Sequence, residues 1–407
     1  MIEDKLSRIS ALRPVTSPAA RQITPSDRMQ QAARLLDILG AEHCTNRLGC
    51  HIRVRQKHSG PPMLKPDPRL LRLLAPQATE EAADPSNWIF LDTETTGLAG
   101  GTGTYAFLVG VAWWDADGLT IEQLFMRNHS EEASLLLELG RILEGRRVLV
   151  TFNGKSFDWP LLETRFRMTR AAEIIQFPLH LDLLHPARRL WRWMLKSVAL
   201  SELEHHVLHL DRGYDIPSET IPARYFEFLR GGPPEPIAEV FRHNEMDLKG
   251  LAALAVHILK RLEAPALDGS NAAELLGISR LLEQRGELPL AGELFERALS
   301  GELPPEGKRL ARRQLAMMAK RRCNFGQAES LWRELLGHSN EGIQAFEELA
   351  KLYEHRLRHP QDAAAWTRQA LSTLREALHA GQINPQQYRR WHARFQHRLD
   401  RLVTKIG

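Results

Sequence analysis

Cysteine is scarce in this chain: three residues in 407, at Cys44, Cys50 and Cys323. That number and scatter exclude a disulfide framework and predict a reduced protein. Cys44 and Cys50 have no second ligand pair to complete a structural zinc site. Long apolar runs are also missing. No stretch of eighteen uncharged apolar residues occurs, which excludes a membrane-spanning helix, and the opening Met1-Ile2-Glu3-Asp4-Lys5 lacks the apolar core of a secretory signal. These absences predict a cytoplasmic protein with no membrane association. The Gly-rich stretch from Gly100 to Gly103 lacks the Lys-Ser/Thr of a phosphate-binding loop and is expected to be a hairpin turn between two strands.

A length of 407 residues exceeds one hydrophobic core and suits two or three domains. The net charge of +4 conceals an asymmetry. Residues 1–80 carry 13 Lys and Arg against 7 Asp and Glu, and residues 301–407 carry 19 against 11, whereas residues 81–300 carry 22 against 32. Basic arms suit a phosphate polyanion and an acidic centre suits bound cations, although solvated helix faces produce the same counts.

Hydrophobic periodicity divides the chain into a basic N-terminal segment and linker (1–85), a mixed α/β domain (86–263) and an all-α region (264–407). The first contains a helix around Met29–Leu39, a strand at Cys50–Arg55 and a Pro-punctuated linker at Pro61–Asp84. In the second, short apolar runs predict strands at Trp88–Asp92, Tyr105–Trp114, Leu119–Met126 and Val148–Phe152, the first three as an antiparallel meander. Helices are expected at Ser130–Glu144 and Trp159–Arg167, with mainly helical structure beyond. In the third, Ala291, Phe295 and Ala298 recur as Ala328, Trp332 and Leu335 and again as Ala363, Trp366 and Ala370, at shifts of 37 and then 34 or 35 residues. Tetratricopeptide helix pairs repeat at about 34 residues and place small residues where helices approach closely. A generic antiparallel bundle would also satisfy this pattern.

Three segments place carboxylates where chemistry is commonly sited. In Asp92-Thr-Glu94, at the end of a predicted strand, residues i and i+2 share a face, so two like charges project together and favour a cation between them. Hard divalent ions such as Mg2+ or Mn2+ match carboxylate oxygen. Asp158 follows a strand and opens a helix, where it reads either as an N-cap or as a sheet-edge ligand. His243 and Asp247, four apart on a predicted helix, can address one site or lie solvated on one face, while Glu245 points elsewhere.

Taken together, Asp92-x-Glu94, Asn153-x-x-x-Phe157-Asp158 and His243-x-x-x-Asp247 resemble the ordered signature of DEDD-type 3′→5′ exonucleases, with 64 residues from Glu94 to Asp158 and 89 more to Asp247. The stretch from Asp92 to Thr104, the Asp182-Leu-Leu-His-Pro segment, Asp215-Ile-Pro and His243-Asn-Glu-Met-Asp resemble, more narrowly, the YprB-type ribonuclease H-like subgroup. The resemblance implies a ribonuclease H-like mixed sheet flanked by helices and followed by tetratricopeptide-like repeats. It also implies two divalent cations on Asp92, Glu94, Asp158 and Asp247, with His243 as general base. Thr93, Thr95, Asn153 and Phe157 would contact the terminal nucleotide. The implied partners are an RNA or DNA 3′ end and, through the repeats, a protein. His243 stands four positions before the last aspartate, where the family places tyrosine; its histidine form stands five before. A non-catalytic scaffold with a degenerate core is the alternative, but such cores lose carboxylates and all four are present.

Two further clusters invite a site and are not assigned one. His205, His206 and His209 lack a third spaced ligand. Arg188, Arg189 and Arg192 with Trp191 and Trp193 interleave basic and aromatic residues as nucleic-acid grooves do, but a helix packing tryptophan inward and arginine outward gives the same pattern.

Overall fold

The computed structural model describes residues 24–58, 65–97, 103–116, 118–265, 270–337 and 339–406. The predicted turn at Gly100–Gly103 lies largely outside them. In chain order the helices are α1 (Pro25–Leu39), α2 (Pro68–Leu74), α3 (Glu132–Leu143), α4 (Asp158–Thr169), α5 (Leu184–Trp191), α6 (Leu200–His206), α7 (Ile221–Leu229), α8 (Glu235–Glu263), α9 (Ala272–Gln284), α10 (Leu288–Ser300), α11 (Pro305–Arg321), α12 (Phe325–Arg333), α13 (Asn340–Leu352), α14 (Pro360–His379) and α15 (Pro385–Ile406). The strands are β1 (Glu42–Asn46), β2 (Gly49–His58), β3 (Trp88–Thr95), β4 (Ala106–Asp115), β5 (Gly118–Phe125), β6 (Val148–Thr151) and β7 (Leu179–Asp182).

The strands form one mixed sheet in the order β1-β2-β5-β4-β3-β6-β7. The expected meander is present: β3 pairs antiparallel with β4, and β4 with β5. Beyond it, β6 runs parallel to β3, which the helical crossover between them requires. Two strands were not expected, β1 and the four-residue β7. The strand predicted at Cys50–Arg55 is longer, and as β2 it pairs with β5, so the N-terminal segment extends the same sheet. The stretch read as a linker holds α2, capped by Asp67 and burying Leu71.

The described residues divide into two compact units, the first lying within 24–58, 86–180 and 211–250. Its core packs on the sheet: Ile89 and Leu91 of β3, Phe107, Val109 and Val111 of β4, and Leu124 and Phe125 of β5 are all essentially inaccessible. Tyr225 stacks on Phe107 at 4.0 Å between ring centres and donates its hydroxyl to the Met126 carbonyl at 3.1 Å, which fixes α7 on the sheet. Arg165 of α4 grips Glu132 of α3 with two bonds of 2.5 Å, both side chains buried. A paired guanidinium and carboxylate satisfy each other away from water.

On the β4 side the residue facing α8 is Gly110. A Cβ there would stand 2.1 Å from Asn244 Oδ1 and 2.8 Å from Leu248 Cδ1, so only glycine lets α8 lie this close to the strand.

The second unit, within 65–85, 181–210 and 251–406, is helical among the described residues apart from its loops and the end of β7. The residues that recur at repeat spacing are interior: Ala291, Phe295, Ala298, Ala328, Trp332, Leu335, Ala363 and Ala370 are buried, and Trp366 is partly so. The fold class is therefore the expected one, a ribonuclease H-like mixed sheet with flanking helices followed by an all-α region. Among the described residues no helix is long and apolar enough to cross a membrane.

Candidate active site

Asp92 and Glu94 point to the same side of β3, as alternation along a strand dictates. Glu94 is buried and Asp92 keeps a solvent-facing edge. Thr93, between them, donates its hydroxyl to Asp158 Oδ1 at 2.5 Å and ties the start of α4 to β3. The cap reading of Asp158 does not hold. The N-cap of α4 is Phe157, which makes no side-chain cap, and Asp158 is the first helical residue.

From α8 the fully buried Asn244 donates to Asp92 Oδ2 at 2.7 Å. The Asn244 amide is held by Gln123 of β5, whose Nε2 donates to Asn244 Oδ1 at 2.9 Å and to the Phe241 carbonyl at 2.8 Å. One turn of α8 places His243 and Asp247 together, with Nε2 to Oδ2 at 3.6 Å. His243 Nε2 also lies 4.0 Å from Glu94 Oε1 and 3.3 Å from Ser218 Oγ. Glu245 faces elsewhere, as expected, toward Lys249 and His58.

The loop after residue 210 completes the cluster. Asp215 Oδ1 meets His243 Nδ1 at 2.7 Å, and Arg212 bridges Asp215 Oδ2 at 3.0 Å and Asp247 Oδ1 at 2.5 Å. Because a carboxylate accepts, Nδ1 carries a proton, and Nε2 faces Glu94 and Asp247.

The electrostatics follow from this crowding. Burial raises the Asp92 carboxyl well above the usual carboxylate range and Asp247 and Asp158 push the same way, against donation from Asn244 and the charge of Arg212. Glu94 is raised by burial first, then by Asp92, Asp247, Asp158 and Asp215. Asp215 goes the other way. Burial works to raise it, but donation from His243, Arg212 and the Ile216 amide, with the His243 charge, holds it below the ordinary range.

The hydrogen bonds and ion pairs just described do not include the remaining sequence candidates, Thr95, Asn153 and Phe157. Thr95 donates to the Gly97 carbonyl at 2.9 Å. Asn153 adopts a left-handed backbone, φ 67°, where the chain turns out of β6, and Phe157 is 54% exposed. Sequence reasoning gave no role to Asn244, Gln123, Arg212, Asp215 or Ser218. Asp215 and Asn244 stood inside quoted motifs, and the other three carried no signal.

The donor chemistry fits a hard divalent cation: all-oxygen, largely buried, and mutually repelling without a counter-charge. As the side chains stand, no three His, Cys, Asp or Glu among the described residues converge as a metal-holding group. Arg212 supplies the positive charge beside Asp247.

A family model described as the RNase H superfamily matches residues 89–259, a span containing every residue of the cluster. The chain is also 32% identical over 291 residues to an uncharacterized Bacillus subtilis (strain 168) protein, YprB; the match covers 70% of this chain and 70% of that relative. Ribonuclease H-like nucleases generally use divalent metal ions. On these matches the chain belongs to the RNase H superfamily, a membership that points to hydrolysis of nucleic acid.

Proposed function

We propose that this protein is a metal-dependent 3′→5′ exonuclease of the DEDD type. The observation that supports the reading is that His243 of α8 lies 4.0 Å from Glu94 and 3.6 Å from Asp247, while its neighbour Asn244 holds Asp92 at 2.7 Å and Thr93 ties Asp158 to the same strand. In this reading residues 86–263, with β1 and β2 of the basic N-terminal segment 1–85 joined to their sheet, form the nuclease domain, and 264–407 are tetratricopeptide-like repeats open to a protein partner.

Asp92, Glu94, Asp158 and Asp247 would hold two Mg2+ or Mn2+ ions, which when bound supply charge neutralisation at the scissile phosphate and lower the pKa of a water. The chain's own residues do the rest. His243 Nε2 takes the proton of the attacking water, and Asp215 holds the ring in the tautomer that leaves Nε2 free to do so. In this reading Thr93, Thr95 and Asn153 would contact the sugar and phosphate of the terminal nucleotide, and the exposed ring of Phe157 would offer its base a stacking face.

The direct test is digestion of 5′-labelled single-stranded RNA and DNA with Mg2+ or Mn2+. A ladder receding from the 3′ end, absent with chelator, is the expected result. Internal cuts, or intact strands with both metals, would end the exonuclease reading.

A finer expectation concerns Asp215 as a positioning residue. Asp215→Asn keeps the shape but removes the charge that fixes His243, so kcat should fall by about 10- to 100-fold. KM should hardly move, and Asp215→Glu should recover part of the loss. Equal losses in kcat and 1/KM would instead mean that Asp215 serves strand binding.

A further inference from the structure

The second unit holds a cavity of about 500 Å³ whose wall carries five cations, Arg188, Arg189, Arg192, Lys196 and Arg280, and no carboxylate. Arg188 and Arg189 come from α5, Arg192 and Lys196 from the turn after it, and Arg280 from α9. Among the described residues none of the five makes an ion pair. Arg192 lies over the Trp193 ring at 4.8 Å.

The pocket is built, not an accident of flexible side chains. α5 and α9 cross so closely that a Cβ on Gly277 would stand 2.5 Å from the carbonyl oxygens of Arg189 and Leu190. The crossing is locked by Trp191, which is fully buried and donates to Glu274 Oε1 at 3.0 Å, while Arg261 grips the other oxygen at 2.6 Å. Trp191 thus faces inward and Arg188, Arg189 and Arg192 outward, as the helical pattern predicts, and the outward face becomes a concave cationic wall.

Its charge is poorly compensated. Burial lowers Arg189, and Arg285 adds to that. Burial also lowers Arg280, as do Arg192, Arg313 and Arg189, with Glu283 the one acid working against them. Like charges gathered in one partly desolvated wall are costly alone and are relieved by a polyanion. Guanidinium forks match phosphate oxygens in pairs. Leu195 and Leu281 line the same cavity and give apolar surface where a sugar or base edge can lie.

We propose that this pocket binds the phosphodiester backbone of a single nucleic-acid strand. Cations spread over two helices and a turn suit several successive phosphates better than one small anion. The choice of polymer rests on the nuclease reading; the anion-binding geometry does not.

The test is binding of a fluorescent 20-mer, as RNA and as DNA, to the full chain in chelator, where hydrolysis is silent. The variants are Arg192→Ala/Lys196→Ala/Arg280→Ala and the single exposed Lys196→Glu. The triple variant should bind at least about tenfold more weakly. The dependence of its log affinity on log salt should flatten by about 2–3 units, roughly one for each phosphate that is no longer neutralised. Lys196→Glu should weaken binding in the same direction, which guards against misfolding of the triple. Arg192→Lys/Arg280→Lys should keep most of the affinity.

Inorganic phosphate and tripolyphosphate are titrated as competitors, and anionic phosphatidylglycerol vesicles as a second surface. Unchanged strand affinity in both the triple variant and Lys196→Glu overturns the proposal. Loss confined to tripolyphosphate or to vesicles overturns it in favour of those ligands. Hydrolysis of a short nitrophenyl nucleotide ester, read separately with Mn2+, should be unaffected in the triple variant. If no ester or strand is cleaved by the wild type while the triple still loses strand binding, the nuclease reading fails and the pocket stands.

Discussion

Asp92→Asn should abolish strand hydrolysis while leaving the metal-free protein at least as stable as the wild type. Asparagine keeps the shape and still accepts the Asn244 amide, so the hydrogen bond that positions α8 survives. The negative charge is lost, and with it several kcal/mol of charge stabilisation. At about 1.4 kcal/mol per tenfold, a fall of at least about a thousandfold is expected.

The stability half of the prediction follows from the raised carboxyls. A group whose folded-state pKa lies above its unfolded value favours the fold while protonated. The stability from Asp92 and Glu94 is therefore fully present below the ordinary carboxylate range, near pH ~4, and is lost as pH rises through their raised values. In chelator the wild type should melt lower at neutral pH than in mild acid, and Asp92→Asn should show less of that decline. Added Mn2+ should raise the wild-type melting temperature by binding only the folded state, and the shift should vanish in Asp92→Asn. Full activity in the variant would remove Asp92 from the catalytic set. Marked destabilisation of it in chelator would instead contradict the repulsion inferred for the cluster.

How much of this was legible depends on the range of each interaction. The β3–β4–β5 meander could be read because short connections and continuous apolar runs are local signals. The same holds for the pairing of His243 with Asp247, which needs only helical geometry. The N-terminal hairpin was missed as part of the sheet because nothing local to Glu42–Asn46 and Gly49–His58 says that β2 will pair with β5, more than sixty residues away. Four-residue β7 is too short for a period to register. Asp158 was ambiguous because a residue opening a helix reads equally as a cap, and only the helix start, with Phe157 at the N-cap, excludes that reading. Arg212 and Asp215 act from a loop, where periodicity carries no information. The cationic pocket was half visible: Arg188, Arg189 and Arg192 stand out, but Arg280 joins them only through the crossing that Gly277 permits.

Gly110→Val should be the most damaging single change in the sheet, and it should remove activity without touching a carboxylate. The glycine sits on β4 opposite α8, and even one added carbon would lie 2.1 Å from Asn244 Oδ1, far inside van der Waals range. Asn244 cannot simply swing aside, because Gln123 holds its oxygen and Asp92 its nitrogen, and Leu248 closes the space at 2.8 Å. Either α8 lifts from the sheet or the buried amide network breaks. Overpacking together with a broken buried network costs about 3 kcal/mol or more, a fall of roughly 6–12 °C in melting temperature for a unit of this size. Activity should fall with it, since Asn244 orients Asp92 while His243 and Asp247 ride on the same helix. Pairing Gly110→Ala with Asn244→Ala separates the two effects. Removing the amide relieves the tightest clash and should recover part of the stability over Gly110→Ala alone, but not the activity, because Asp92 has lost its donor. A Gly110→Val protein that melts and cleaves like the wild type would show that α8 does not depend on a bare backbone at this position, and the route by which β4 sets the geometry of the cluster would have to be abandoned.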